Sequence, residues 1–268
     1  MSEDNKPRVG ILEEMTLPEV QAFDPEIVVI PCGSTEPHGP HLPYCPDTAC
    51  LRDVAERGTV LANERGVRAL CYPTLPVGLN VNFGWPFALS MKVPTYIQML
   101  MDLCEQIEKQ GVRRILLVNG HGGNTAAIQA FQRQWAHRGV AGMPGAEDRA
   151  FVCSIGRRSP RSPEVVEHPS DHAGEAETLE VMAVRPELVR HDKLDEFKPG
   201  KPAVKILEHP RIHWVKPWHM YLPECAGGET RSANVENAEK LQALSSEWIA
   251  DVICDLCSLP WSDRYPYE

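Results

Sequence analysis

The chain has 268 residues, a formal charge of −10, 43 % apolar and 24 % charged side chains, which suits a water-exposed globular protein with a sizeable core. The acidic balance argues against nucleic acid and anionic membrane surfaces as partners, and no apolar run reaches the roughly 18 residues of a membrane span. Residues 1–6 are polar and lack a signal-peptide core. Nine scattered cysteines suit free, mostly buried thiols in a reducing cytoplasm.

In chain order, Glu26 to Pro31 is a β-branched run and reads as a strand. A polar loop follows, then a helical pattern from Asp47 to Asn63. Val67 to Tyr72 reads as a second strand. Thr95 to Gln110 carries Ile97, Leu100, Met101, Leu103, Cys104 and Ile107 at helical spacing, with Gly111 placed to close the helix. Arg114 to Asn119 is the clearest strand. Gly120 to Asn124 turns into a helix reaching Arg138, and Ala150 to Ser154 is a fourth strand. Residues 156–171 and 192–230 are Pro-rich and irregular, as functional or interfacial loops often are. The last helix, Ser232 to Cys257, aligns Leu241, Leu244, Trp248, Val252 and Leu256 on one stripe for core packing. Strands alternating with helices imply an α/β fold with a mostly parallel sheet covered on both faces. No linker divides the chain, so residues 1–268 are read as one domain.

Ligands of open α/β sheets bind beyond the carboxyl ends of the strands. Two strand-end loops carry unusual polar residues there: Gly33 to His41 continuing to Asp47, and Asn119 to Asn124. A third stretch, Asp171 to Thr178, opens a helix after the fourth strand. Glu36, His38, Asp47, His121 and Glu175 together make two imidazoles and three carboxylates. That mixed N/O set suits Zn²⁺, Mn²⁺ or Fe²⁺, and it has more carboxylates than one ion needs. Asp47, at a helix start, is the best placed to bridge two ions. The absence of cysteine from the set argues against a closed structural zinc site.

Singly, each residue has an ordinary reading. The histidines can be hydrogen-bonded loop residues, Glu36 a turn residue, Asp47 an N-cap, and Glu175 and Glu177 first-turn charges that favour the helix dipole. Coincidence of three such loops at one end of a sheet favours the site. Gly120 to Asn124 also has the look of a phosphate cradle, but not the G-x-G-x-x-G spacing. Cys254 and Cys257 have redox spacing on an amphipathic helix, and Cys32 ends a strand near a His; packing is the plainer role for all three. His209, His213, Trp214, Trp218 and His219 share one loop, a substrate mouth, a subunit contact or a cover over the core.

At these loops the sequence resembles the creatininase family of metal-dependent amidohydrolases. The matching stretches are Pro31 to Pro43 with Asp47, Val118 to Asn124, and His172 to Thr178, within a similarity spanning roughly residues 20–190. The resemblance implies a three-layer α/β/α sandwich, two divalent metal ions (Zn²⁺ and/or Mn²⁺, with Fe²⁺ acceptable), a small-molecule amide substrate and a homo-oligomer, often a hexamer. Carried over residue by residue, Glu36 and His121 would hold one ion, His38 and Glu175 the other, with Asp47 between them. His172 would be the acid/base histidine, and Glu177 a supporting or helix-face residue. The implied reaction is hydrolysis of a non-protein C–N amide bond, in a cyclic amide or formamide, by water activated between the two metals. Rival readings are a peptidase acting on a short peptide and a non-catalytic metal- or nucleotide-binding protein. The sequence departs from the family pattern at Gly122-Gly123, His168-Pro169, Trp85 to Ala88 and residues 78–82, which points away from creatinine itself.

Overall fold

The computed structural model describes residues 7–80, 84–139, 141–143, 148–170 and 172–267. Helix α1 (Leu17–Phe23), which the periodicity does not reveal, starts on a capping box between Thr16 and Glu19. Strand β1 (Ile27–Cys32) follows, and the chain then makes one turn of π-helix at Pro46–Cys50 before α2 (Leu51–Glu64). Next come β2 (Ala69–Cys71), α3 (Val93–Lys109), β3 (Arg114–Asn119), α4 (Thr125–Ala136) and β4 (Phe151–Gly156). Gly111 closes α3 with φ +90°, the left-handed conformation that glycine adopts without a steric cost.

The four strands form one parallel sheet in the order β2-β1-β3-β4. Alternation along each strand sends side chains to opposite faces. Ile27 and Val29 of β1, with Leu116 and Val118 of β3, pack with Leu51 and Val54 of α2. Ile249 and Ile253 belong to the same layer, on the long C-terminal helix described below. Val28, Ile30, Ile115 and Leu117 face the other way, onto Leu100, Cys104, Ile128 and Phe131 of α3 and α4. The result is the three-layer α/β/α sandwich. Among the described residues no helix is long and apolar enough to cross a membrane.

Helix α5 (Glu175–Val184) leaves the sheet, and β5 (Glu196–Phe197) precedes a one-turn helix, α6 (Trp218–Tyr221). Strand β6 (Gly228–Glu229) pairs antiparallel with β5 and closes the irregular 192–230 segment. Helix α7 (Val235–Leu256) starts where Asn234 accepts a hydrogen bond from the Asn237 N–H. Leu179, Val181, Ala238 and Leu241 pack with Leu42 and Cys50. This small apolar cluster fixes the start of α5 beside the carboxyl ends of the sheet.

Two expected boundaries move in ways that matter. Asp47 lies inside the π-helical turn rather than at the first position of α2. Helix α5 begins only at Glu175, because Ala173, with φ +48°, turns the chain just before it. His172 is therefore not on the helix, and a helical spacing cannot set it beside Glu175.

Candidate metal centre

The register of the two central strands puts Cys32 of β1 opposite Asn119 of β3, so the Glu36 and His121 loops start side by side. The Gly120 N–H donates to the Cys32 carbonyl at 2.9 Å. Asn124 ties the loops together, donating to the Gly33 carbonyl at 3.1 Å and accepting from the Leu79 N–H at 3.0 Å. The backbone of Asp47 passes between them. A Cβ on Gly33 would come within 2.6 Å of the Asp47 carbonyl oxygen, and one on Gly120 within 2.8 Å. Only residues without a side chain at these two positions let the π-helical turn drop onto the strand ends.

Three imidazoles then converge on buried acids, and each is pinned in the same manner. One ring nitrogen meets a backbone carbonyl: His38 Nδ1 with Glu36 at 3.0 Å, His121 Nε2 with Leu79 at 3.2 Å, and His172 Nε2 with Pro37 at 2.9 Å. A carbonyl can only accept, so that nitrogen carries a proton, and in the neutral ring the other presents its lone pair to the cleft. His121 Nδ1 lies 3.2 Å from Glu36 Oε1 and 3.1 Å from Asp47 Oδ2. His38 Nε2 lies 3.7 Å from Asp47 Oδ1 and 3.6 Å from Glu177 Oε2. His172 Nδ1 lies 3.6 Å from Glu36 Oε1.

Among the described residues the donor atoms fall into three groups compact enough to hold an ion: Glu36, Asp47 and His121; His38, Asp47 and Glu177; and Glu36, His38 and His172. The first two share Asp47, whose two oxygens face different imidazoles. Glu36 Oε2 and His38 Nε2 are buried without a hydrogen-bond partner. Orphaned polar atoms cost folding free energy unless something satisfies them, and these are metal-ligating types. The residues present fit divalent cations.

The electrostatics agree. Burial opposes a charged ring at His38, yet the facing Glu177 and Asp47 carboxylates hold its pKa up at about 9. His121 is also raised against burial, by Asp47 and Glu36. Burial alone would raise Asp47, but His38, His121 and Arg157 keep it well below the usual carboxylate range. His172 is pushed down to about 4 by burial and by His38. The cleft draws positive charge, whether protons or metal ions.

Of the sequence-derived ligands, Glu36, His38, Asp47 and His121 come together, and His172 joins their edge. Glu175 does not. Its Oε2 accepts from the His168 N–H at 2.6 Å and its Oε1 is buried without a hydrogen-bond partner, and it belongs to none of the three groups among the described residues. The acid in the cleft is Glu177, expected only as a supporting residue. As the third residue of α5 it accepts the Ala173 N–H at 2.6 Å on the same oxygen that faces His38. Behind it stands an ion-pair layer that the motifs did not reveal, made of Arg157, Arg158 and Glu180. Two arginines directly after an apolar strand, with acids three apart on a helix, were its faint signal.

The remaining candidates sort by position. Trp218 packs its ring 5.4 Å from that of His172, and a Cβ on Gly84 would strike the His219 ring, so part of that loop borders the cleft. His209, His213 and Trp214 instead line a separate cavity of about 940 Å³ formed within residues 199–221. Cys225 Sγ is 3.7 Å from His172 Nε2 and 3.2 Å from the Pro37 carbonyl. Cys32 sits in the core, where burial pushes its thiol up to about 12, too high for a nucleophile. Cys254 and Cys257 are unbridged. In the 78–82 loop, Asn80 bonds Ser34 and the Thr35 carbonyl; Val81 and Asn82 lie outside the described residues, as does Asp171 at the start of the third motif.

Comparison with known proteins gives a consistent result. Over 173 residues the chain is 31 % identical to the mycofactocin precursor peptide peptidase of Mycolicibacterium smegmatis, covering 63 % of this chain and 62 % of that protein. It thus spans less than two thirds of that relative's length. The peptidase of the same name from Mycobacterium tuberculosis is 29 % identical over 195 residues, 70 % of this chain and 69 % of its own. Among solved structures, a putative creatinine amidohydrolase from Bacteroides fragilis superposes with a TM-score of 0.81 at 25 % identity, covering 95 % of this chain and 99 % of that one. A family model described as creatininase, creatinine amidohydrolase, matches residues 13–253. With nearly the whole chain inside that match, the protein belongs to the creatininase family.

Proposed function

We propose that the protein hydrolyses an amide-type C–N bond with two divalent cations that share Asp47. Glu36, Asp47 and His121 would hold one ion, and His38, Asp47 and Glu177 the other, so Glu177 takes the role expected of Glu175. The observation that carries this is the set of three imidazoles, each anchored to a backbone carbonyl and aimed at common buried carboxylates. Solved structures of a manganese creatininase and of a zinc–zinc form of a creatininase point mutant, 21 and 22 % identical to this chain, support Mn²⁺ and Zn²⁺ as the ions. Bound there, the cations supply Lewis acidity that lowers the pKa of water and polarises the amide carbonyl.

The chain's own residues do the rest. The Pro37 carbonyl fixes the His172 ring, so its cleft-facing Nδ1 can take a proton from the attacking water and return it to the departing nitrogen. An oxygen–carbon bond forms, the carbon–nitrogen bond breaks, and the proton ends on the amine. Trp218, packed against His172, limits bulk water on that side.

Two substrate classes follow from one chemistry. The curated relatives named as precursor peptide peptidases favour a short peptide. The family model's description favours a small cyclic amide, one of the two classes that the family resemblance implies. The test is elemental analysis combined with a hydrolysis screen over short peptides, lactams and formamides. Metal-bearing protein should cleave one class and lose activity on chelation, with recovery on Zn²⁺ or Mn²⁺. Stoichiometric metal without turnover of any amide would overturn the catalytic reading.

A further inference from the structure

We propose that Arg157 is the positioning residue of the His38-side metal subsite, an inference that rests on the two-ion reading above. Arg157 follows β4 directly. Its N–H extends the ladder to the Asn119 carbonyl at 3.0 Å, so its backbone is fixed by the sheet. The residue is buried, only 4 % exposed. Its guanidinium makes a fork over several acids. Nη1 donates to Asp47 Oδ1 at 2.8 Å and to the Gly120 carbonyl. Nη2 donates to Glu177 Oε1 at 3.2 Å and to Glu180 Oε2 at 2.6 Å. Nε donates to both oxygens of Glu180.

The asymmetry of these contacts is informative. Among the described residues Arg157 touches both carboxylates of the His38 group, the shared Asp47 and Glu177, and makes no hydrogen bond to the side chains of Glu36 or His121. On Glu177 it takes Oε1, while Oε2, held by the Ala173 N–H, faces His38 Nε2. On Asp47 it takes Oδ1, the oxygen that faces His38, while Oδ2 faces His121. Glu180, one turn beyond Glu177 on α5, anchors the other side of the fork and is itself held by Arg158. One planar cation therefore links β4, the Asp47 turn and α5: on Glu177 it holds the far oxygen and leaves Oε2 toward His38, and on Asp47 it holds Oδ1 itself in place against His38. A lysine could supply the charge but not the fork.

The test is a Zn²⁺ titration of metal-depleted full-length protein by chelator competition, repeated with Mn²⁺, on wild type, Arg157→Met and Arg157→Lys. Two equivalents are expected for wild type. Both variants should weaken one equivalent by about 10–100-fold, the usual consequence of losing a partner that orients a ligand, and leave the other near wild type. Adding Glu36→Gln to Arg157→Met should then remove the surviving equivalent, placing it on the His121 side. The paired variant Arg157→Met/Glu180→Gln, which removes the buried charges together, keeps the test readable if Arg157→Met fails to fold. Wild-type affinity for both ions in Arg157→Met, equal weakening of both, or full recovery in Arg157→Lys would each overturn the proposal. Absence of metal binding by wild type would instead strike the two-ion reading itself.

Discussion

The faces of the sheet and the cleft at its strand ends are equally buried and held together by opposite means. On the faces, Ile30, Leu117 and Phe131 exclude water through apolar contact that is tolerant of chemistry and sensitive to volume. Beyond the end of β1, Glu36 and His38 in the loop and Asp47 in the π-helical turn are just as inaccessible, and they carry charge or lone pairs. Burial of that kind destabilises a chain unless partners compensate. The cleft thus gives up stability to keep reactive groups dry and fixed, and the sandwich around it makes up the difference. The difference teaches where to look: substitutions in the sheet layers should change stability and leave metal content alone, and substitutions of the cleft ligands should change metal content whatever they do to stability.

Substitutions can break that contrast, beginning with the most severe. Asp47→Ala should lose both ions and bring hydrolysis to background, read by metal analysis and assay of the purified protein; retention of two full equivalents would remove the bridge from the account. Glu177→Gln should cost one equivalent while Glu175→Gln keeps two, a difference resolved by the same titration. In the core, Phe131→Ala should destabilise the fold by about 3–5 kcal/mol in a denaturant titration with metal stoichiometry unchanged. At the surface, Arg65→Ala, which breaks ion pairs to Glu247 and Asp251 on α7, should barely move the melting temperature, since exposed pairs contribute little.

Much of this was legible in the sequence because two periodicities and a few glycines carry it. The 114–119 strand and the Gly111 stop were readable since an unbroken apolar run and left-handed backbone leave direct marks. Glu36, His38, Asp47 and His121 were readable because they sit in glycine-rich loops at strand ends, where α/β sheets place ligands. Glu175 and Glu177 were not separable by type, as both are acids at one helix start. What separates them is phase: two residues along a helix turn a side chain by roughly 200°. The phase was set by a turn at Ala173 that no motif announces. Arg157 stayed hidden because its role depends on three elements meeting, which a linear pattern does not encode.

The most direct measurement is an anomalous-scattering map of crystals loaded with Zn²⁺. The account predicts two peaks, each at about 2 Å from an oxygen of Asp47, one also bound by Glu36 and His121 and the other by His38 and Glu177. A single peak, or a second ion held by Glu175 in place of Glu177, would contradict it.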